Sequence, residues 1–358
     1  MKIKYTRTKV FHYPERLSVL PAEEQGIVSP IHIRIKPTNR CNHSCSYCAY
    51  SDKSLDRFGK DTGRGADFIP RDKMLEIVDD LIAMDIRAVT FSGGGEPFMY
   101  PFLKETVEKL AGSTIRFASL TNGALLEGEI AELFARFATW VRVSIDGWDE
   151  ESYSAYRKVA RGEFARVISN MEKFKNIGGQ CALGVSLIVD ERNSPHVYDM
   201  LSRFKNIGLD SVKISPCLVG NKPGESNAYH DRIRIRVQEQ VQRAVCDLKC
   251  EEFQIFDAYT ELDTKFEKDY QWCPCLQLLP VIGADGNVYS CPDKAYDIKK
   301  GLLGSIVKQR FRDLWFSSKA RFFRINPSVD CMHHCERNPL NRLILEYLFA
   351  DDRHLGFV

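Results

Sequence analysis

Three cysteines lie within eight residues of each other in the run CNHSCSYC, which follows an apolar segment: Cys41, Cys45 and Cys48. A structural zinc ion or a closed electron-transfer cluster normally takes four protein ligands. Three thiolates can instead hold a cubane iron–sulfur cluster whose remaining iron is open to a small molecule. The spacing therefore indicates a cluster with one free coordination position, where a reaction can begin.

A second chemical motif is AVTFSGGGEP, which occupies residues 88–97. A β-branched strand sequence runs here into three glycines and a Glu-Pro pair. Because glycine has no side chain, the backbone can approach a ligand closely and adopt positive φ. The residues concerned are Gly93, Gly94, Gly95, Glu96 and Pro97. The motif predicts a ligand-binding loop one βα unit after the cysteines.

In this order the two motifs resemble those of the radical SAM enzymes, including the aromatic Tyr47 directly before the last cysteine. The resemblance implies that the three thiolates hold a [4Fe–4S] cluster and that S-adenosylmethionine (SAM) chelates its open iron. One electron from an external donor such as flavodoxin or ferredoxin would then break the sulfonium C–S bond. The resulting 5′-deoxyadenosyl radical would abstract hydrogen from the substrate.

The same resemblance implies which residues bind SAM. The glycine-rich segment would hold the amino group, and Tyr47 would pack beside the cluster and adenine. Asn122 in SLTNG and Ser144 in RVSIDG end the next two strands and would also contact SAM. Arg157 would pair with the SAM carboxylate, because a guanidinium suits a carboxylate bidentately. Arg166 competes for that role, and a strand-end hydroxyl and a surface charge are the structural alternatives for Ser144 and Arg157.

Five further cysteines follow residue 250 and resemble the auxiliary-cluster region of the twitch and SPASM subfamilies in its short, twitch-like form. The set is Cys275, Gly286 after ten intervening residues, Cys291 after four more intervening residues, and Cys331-x3-Cys335. An Asp-Gly turn in LPVIGADGNVYSC predicts a β-hairpin that returns Cys291 beside Cys275. The resemblance implies a second, auxiliary [4Fe–4S] cluster; a structural zinc site is the alternative. Cys273 also satisfies the spacing and is an alternative to Cys275.

Charged and aromatic residues directly after Cys291 could act on a substrate between the two clusters. Asp293, Lys294 and Tyr296 are the weak catalytic candidates, as binding groups or as a base. A solvated charged turn explains them equally well. The stretch from Asp52 to Pro70 similarly suits either a mobile cover over the site or a surface loop.

The elements that must position these residues alternate between β-rich and helical patterns, which predicts an α/β fold with parallel strands. We expect strands near 32–38, 88–93, 114–121, 139–146, 181–190 and 211–217. Six such units make a partial (βα)6 TIM-like barrel, with chemistry at the C-terminal ends of its strands. We divide the chain into an N-terminal extension (1–30), the radical SAM partial barrel (31–250) and a small cysteine-rich auxiliary-cluster domain (251–358).

Composition limits the partners and the location. A formal net charge of +2 over 358 residues predicts no nucleic-acid or membrane surface. The N-terminus has no apolar export signal, so a cytoplasmic location is expected. Twelve cysteines in such a chain favour metal ligation over disulfides, because the cytosol keeps thiols reduced.

Three functions are consistent with these features. The leading hypothesis is a radical SAM oxidoreductase or mutase that dehydrogenates or rearranges a small molecule, such as a sugar-like metabolite. The first alternative is a peptide maturase acting on a ribosomally made peptide. The second is a non-catalytic iron–sulfur electron carrier, which the open coordination position near Cys41 disfavours, since a carrier seals its cluster.

Overall fold

A computed structural model describes residues 5–21, 23, 26–50, 68–220, 224–262 and 266–357. The predicted cover over the site falls mostly on residues outside these ranges. The model confirms the α/β class. Its centre is a parallel sheet of seven strands, which follow one another in chain order across the sheet. The strands are β1 His32–Ile35, β2 Ala88–Phe91, β3 Arg116–Thr121, β4 Trp140–Ser144, β5 Ala182–Val189, β6 Ser211–Pro216 and β7 Gln254–Asp257.

The helices connect successive strands, as a partial barrel requires. Within the described ranges the α-helices are α1 Pro14–Leu17, α2 Arg71–Ala83, α3 Leu103–Ala111, α4 Gly128–Phe137, α5 Glu150–Arg157, α6 Glu163–Ile177, α7 Val197–Asn206, α8 Glu225–Asp231, α9 Arg234–Asp247, α10 Cys275–Leu278, α11 Phe311–Phe316, α12 Pro327–Asp330 and α13 Asn338–Leu348. None of the helices in the described part of the chain is long and apolar enough to cross a membrane.

Each of the six predicted strands overlaps an observed one, and β7 is an addition. It lies beyond residue 250 and pairs in parallel with β6 from Ser211 to Ile214. Its four residues are too short for a period-two pattern to reveal it, and its partner strand lies some forty residues earlier. The domain boundaries at residues 30 and 250 stay predictions.

The predicted hairpin is present and joins the barrel sheet. Strand β8 (Val281–Ile282) pairs antiparallel with β9 (Asn287–Tyr289), and β9 pairs with β10 (Leu302–Ser305). Gly286, at φ 72°, takes the left-handed conformation that the turn needs. On its other edge β8 pairs in parallel with β1. The C-terminal cysteine region is therefore hydrogen-bonded to the strand that leads into the first cysteine loop.

Alternating residues of β1 show how the sheet divides its two faces. Ile33 and Ile35 are fully buried in the core between sheet and helices. Arg34 and Lys36 point to the opposite, inner face and line a cavity there. The alternation of side chains along the strand thus turns its apolar residues toward the helices and its cationic residues toward the inside of the barrel.

One buried ion pair fastens the C-terminal region to the barrel. Asp80 on α2 is fully buried and accepts hydrogen bonds from Arg310 Nε at 2.8 Å and Arg312 N at 3.2 Å. We expect Asp80→Ala to lower the free energy of unfolding by about 2 kcal/mol, because it leaves a half-buried guanidinium and a backbone amide unpaired.

The neighbouring Asp79→Ala is the matched control. Asp79 is 55% exposed and pairs with Lys109 at 2.6 Å, so its loss should change stability by less than about 1 kcal/mol. Urea unfolding of both variants measures the difference. Equal destabilisation would contradict the anchoring role of Asp80.

Candidate functional site

The first cysteine loop leaves the C-terminal end of β1 and is held against the end of α5. Ser44 N donates to Arg157 O and Ser46 N to Tyr156 O, each at 3.0 Å. All three cysteines of the loop line a cavity of about 560 Å³, a volume typical of small-molecule sites. The cavity lies where parallel barrels carry their chemistry, as predicted.

The sulfur atoms of the loop are surrounded by hydrogen-bond donors. His43 N lies 3.5 Å from Cys41 Sγ, Tyr50 N lies 3.4 Å from Cys48 Sγ, and Arg157 Nη1 lies 3.5 Å from Cys45 Sγ. Burial raises the pKa of Cys41 to about 11, and burial also raises the pKa of Cys45 against the effect of Arg157. Buried thiols of this kind become thiolates when a metal binds, and the donors then stabilise the negative charge.

The glycine-rich loop packs against the start of the cysteine loop with no room for side chains. A Cβ on Gly95 would collide with the Arg40 carbonyl, and one on Gly94 would collide with the Asn39 side chain. Gly95 N donates to Thr38 O at 2.8 Å. The triplet therefore brings two loops into contact and exposes bare backbone to the cavity.

Glu96 fixes the ends of β2 and β3 relative to each other. Its buried carboxylate accepts hydrogen bonds from Thr121 Oγ1 at 2.6 Å, Asn122 N at 2.7 Å and Phe98 N at 3.1 Å. Burial raises the pKa of Glu96, and these donors oppose that shift. Asn122 in turn donates to Asn42 Oδ1 at 2.7 Å, which joins β3 to the cysteine loop. Direct contact of Glu96 or Asn122 with SAM stays a prediction.

Arg157 is held by an acidic residue that ends β4. Its Nη2 lies 2.5 Å from Asp146 Oδ2, and the Tyr47 hydroxyl donates to the same oxygen. Ile188 N donates to Asp146 Oδ1 at 2.8 Å. Arg157 and Ser144 both line the cavity, whereas the competing Arg166 pairs with Glu127 on the surface at 2.7 Å. Binding of the SAM carboxylate by Arg157 remains a prediction.

Four buried polar atoms on the cavity wall test whether SAM fits. Ser92 Oγ, His43 Nδ1, Arg157 Nε and Arg34 Nε have no hydrogen-bond partner among the residues that the structure describes. Buried polar groups normally have partners, so these atoms suit a polar ligand. SAM carries amino, carboxylate and ribose groups that can hydrogen-bond to such atoms. The three cysteine thiols supply the ligands for a cluster. The residues on the cavity wall therefore fit both SAM and an iron–sulfur cluster.

Sequence reasoning missed Lys36, which is fully buried at the cavity wall. Its Nζ donates to the Gly93 carbonyl and lies 3.7 Å from the centre of the Tyr50 ring. The lysine therefore connects β1, the glycine loop and the cysteine loop. A lysine directly after a strand that leads into the cysteine loop was the available signal, since lysine is rarely buried without a role.

All five C-terminal cysteines line a second, smaller cavity. Three cations also line it, and each donates to a backbone carbonyl: Lys268 to Phe266 O at 2.6 Å, Lys294 to Asp330 O at 3.0 Å and Arg337 to Leu279 O at 2.6 Å. Because carbonyls carry no net charge, these cations can compensate thiolates. The cysteines are Cys273, Cys275, Cys291, Cys331 and Cys335.

The alternatives Cys273 and Cys275 differ in their surroundings. Asn341 Nδ2 lies 3.3 Å from Cys273 Sγ, and Asn341 Oδ1 accepts from Cys275 N at 3.0 Å. Cys275 is almost completely buried in an apolar cluster with Leu17, Leu20 and Ile344, and the partly buried Cys273 packs against the same cluster. Burial raises the pKa of both thiols, so this shift does not separate them. Cys273 thus has a hydrogen-bond donor on its sulfur, as metal-bound thiolates commonly do.

The three catalytic candidates after Cys291 do not meet at one point. Lys294 lines the five-cysteine cavity. Tyr296 is fully buried, has φ 66°, and donates to Asn39 Oδ1 at 2.6 Å beside Gly94. Asp293 is partly buried and acts electrostatically on Tyr50 and Arg34, which line the larger cavity. Tyr296 therefore supports the glycine loop, while Asp293 lies toward the wall between the cavities.

Comparison with known proteins identifies both regions. Residues 35–190 match the Radical SAM superfamily, and residues 273–337 match SPASM, described as an iron-sulfur cluster-binding domain. The serine-type anaerobic sulfatase-maturating enzyme of Bacteroides thetaiotaomicron is 31% identical over 199 residues, which are 52% of this chain and 46% of that protein. The antilisterial bacteriocin subtilosin biosynthesis protein AlbA of Bacillus subtilis is 24% identical over 181 residues, which are 50% of this chain and 38% of that protein.

A solved structure agrees on the fold. Native anSMEcpe with bound AdoMet superposes with a TM-score of 0.62 at 19% identity, and the match covers 89% of this chain and 97% of that one. The chain covers less than half the length of either sequence relative. These comparisons confirm the predicted superfamily, partial-barrel fold and cofactors.

The buried Asp146–Arg157 pair should dominate the stability of the site. In Asp146→Ala the Arg157 guanidinium and the Tyr47 hydroxyl lose their shared partner, so we expect a loss of roughly 3–5 kcal/mol in the free energy of unfolding. Tyr47→Phe keeps the ion pair and should cost about 1 kcal/mol. Denaturant titration of the metal-free protein compares the two. Similar losses in both variants would refute a special role for the pair.

Proposed function

Because this chain belongs to the radical SAM superfamily and carries a SPASM region, we propose that it is a maturase that modifies a residue of a peptide or protein. The observation that carries the proposal is the 31% identity to a sulfatase-maturating enzyme over 199 residues, about half of this chain. The bacteriocin biosynthesis protein supports it, since subtilosin is the product named for that relative. A sugar-like small molecule, the leading hypothesis from sequence, becomes the second choice.

We propose that Cys41, Cys45 and Cys48 bind the [4Fe–4S] cluster that leaves one iron open. The backbone of Gly93–Gly95, with Ser92, Ser144 and Arg157, would hold SAM. When bound, the cluster and SAM supply a one-electron cleavage that generates an adenosyl radical able to take hydrogen from the substrate. This chemistry makes the chain an enzyme and not a sealed electron carrier.

The residues of the chain contribute placement and charge. Glu96 keeps the glycine loop and the end of β3 at a fixed separation through its three hydrogen bonds. Arg157 places positive charge 3.5 Å from Cys45 Sγ, which stabilises the thiolate. Tyr47 and Asp146 hold that guanidinium in position. Protein side chains thus orient the reactants, and the bound groups break the bonds.

For the auxiliary cluster we propose Cys291, Cys331 and Cys335 as ligands, with Cys273 as the fourth in preference to Cys275. The hydrogen-bond donor that Asn341 places on the Cys273 sulfur favours it. Asp293 is then the best placed of the three catalytic candidates to meet a substrate between the clusters. We also propose that an external one-electron donor supplies the electron for SAM cleavage.

The function is tested by offering anaerobically reconstituted protein a set of synthetic peptides encoded near its gene, deuterated at candidate side chains. A maturase transfers deuterium into 5′-deoxyadenosine, and the peptide changes mass. We expect Cys41→Ala to abolish SAM cleavage altogether. With dithionite as the reductant, which needs no docking, Cys291→Ala should retain some cleavage but lose peptide modification, because only the auxiliary cluster is damaged.

Cys246→Ala is the control for both cysteine variants, since Cys246 is exposed and lines neither cavity. It should behave as the unchanged protein. Deuterium transfer from small sugars with none from any peptide would overturn the maturase proposal. Equal loss of cleavage in Cys41→Ala and Cys291→Ala would contradict separate roles for the two clusters.

The fourth auxiliary ligand is identified by iron content. Cys273→Ser should lose the iron and the EPR signal of one cluster after reconstitution, whereas Cys275→Ser should keep both. The opposite pattern would restore Cys275 as the ligand. Retention of both clusters in each single variant, with loss in the double variant, would show that either thiol can serve.

A further inference from the structure

A single layer of chain separates the five-cysteine cavity from solvent. Ile325, Pro327 and Cys331 face the cavity. In the same segment Arg324, Val329 and Met332 face outward, with Val329 66% and Met332 56% exposed. A cluster in this cavity would therefore lie close to the surface, and electron transfer between proteins requires such proximity because tunnelling weakens steeply with distance.

A neighbouring loop extends this outer surface. Lys294 Nζ donates to Asp330 O at 3.0 Å and so holds the loop after Cys291 beside the segment that carries Val329. Ile298, 40% exposed, and the exposed Lys299 and Lys300 follow in that loop. We call Ile298, Lys299, Lys300, Arg324, Val329 and Met332 the cluster-side face.

The face combines exposed apolar side chains with positive charge. Three large apolar residues exposed by 40% or more lie in two adjacent segments beside a proposed cluster ligand. Such patches mark interaction surfaces more often than isolated exposed residues do. The size is modest, which suits the small, short-lived interfaces of electron-transfer encounters.

Charge along the chain points to an acidic partner. Lys299, Lys300 and Arg324 are exposed cations of the face. Other cations of residues 298–342 are used elsewhere: Arg310 pairs with Asp80, Arg342 pairs with Asp269, and Lys319 is buried. The positive charge available to a partner is therefore that of the face itself. A field of this kind attracts an acidic protein and orients it during diffusion.

From these observations we propose that the cluster-side face is the docking surface for an acidic one-electron donor protein, which delivers electrons to the auxiliary cluster. The proposal rests on the function proposed above. In this step one electron passes from the reduced donor to the auxiliary cluster. The donor is oxidised by one electron and the cluster is reduced by one electron, and no bond is made or broken.

Binding and electron transfer to the reconstituted protein test the proposal, with a plant-type [2Fe–2S] ferredoxin as the acidic probe. The test variant is Lys300→Glu with Arg324→Glu, whose side chains make no hydrogen bond or ion pair with the described residues. Calorimetry should show roughly tenfold weaker binding of oxidised ferredoxin at low salt, and the difference should vanish near 0.5 M salt. Stopped-flow mixing with reduced ferredoxin should show a parallel fall in rate.

Lys173→Glu with Lys249→Glu is the matched control. Both lysines are exposed, on or near the barrel helices α6 and α9, and the double change reverses the same amount of charge. This control should bind ferredoxin nearly as the unchanged protein does. Dithionite, which needs no docking, should reduce both variants equally, and this verifies that their clusters are intact.

Equal ferredoxin binding and equal rates in the test and control variants, with both clusters present, would overturn the docking proposal and leave the proposed function intact. Iron content and EPR are measured first. If they show that the five cysteines hold no iron–sulfur cluster, the failure lies in the auxiliary-cluster assignment, and the docking proposal falls with it.

Discussion

The structure depends on the hydrogen bonding of β1 along both of its edges. One edge pairs with β2 from His32 to Ile35, and the other pairs with β8 through Arg34 and Ile35. Because both edges are occupied, the strand cannot shift, and the cysteine loop leaves it at a fixed point. The same pairing fixes the hairpin that leads to Cys291. The relative position of the two cavities is thus set by backbone geometry and does not rely on flexible side chains.

This arrangement also sets the charges that surround the cysteines in the two cavities. Burial raises the pKa of Cys41 at the first cavity and of Cys275 at the second, so these two thiols resist ionisation in the metal-free protein. A cluster held by thiolates would bring negative charge into both cavities. Arg157 beside Cys45 and the carbonyl-bound Lys268, Lys294 and Arg337 around the second cavity are already in position. Such preorganised cations reduce the cost of burying charged clusters.

Sequence alone predicted the features that local patterns encode. Cysteine spacing, the glycine triplet, the Asp285-Gly286 turn and six strands follow from short-range signals, and the structure contains the predicted turn and strands. The missed features depend on long-range pairing. Lys36 contacts a carbonyl 57 residues away, and Asp80 binds Arg310 across 230 residues. Ile82 shares the helical spacing of the buried Ile77 and Val78 in α2 yet is 42% exposed, because only neighbouring elements decide where a helix face ends.

We place substrate choice outside the two motifs, since our proposal assigns these residues to the cofactors. The larger cavity is also lined by Arg34, Tyr50 and Ile188, which belong to neither motif. Tyr50 donates to the Pro292 carbonyl at 3.1 Å, so part of this wall is held by the C-terminal region. A change in that region therefore alters the reaction cavity itself. Proteins can share this fold and both clusters yet differ in substrate, because a few wall residues from two parts of the chain decide what reaches the radical.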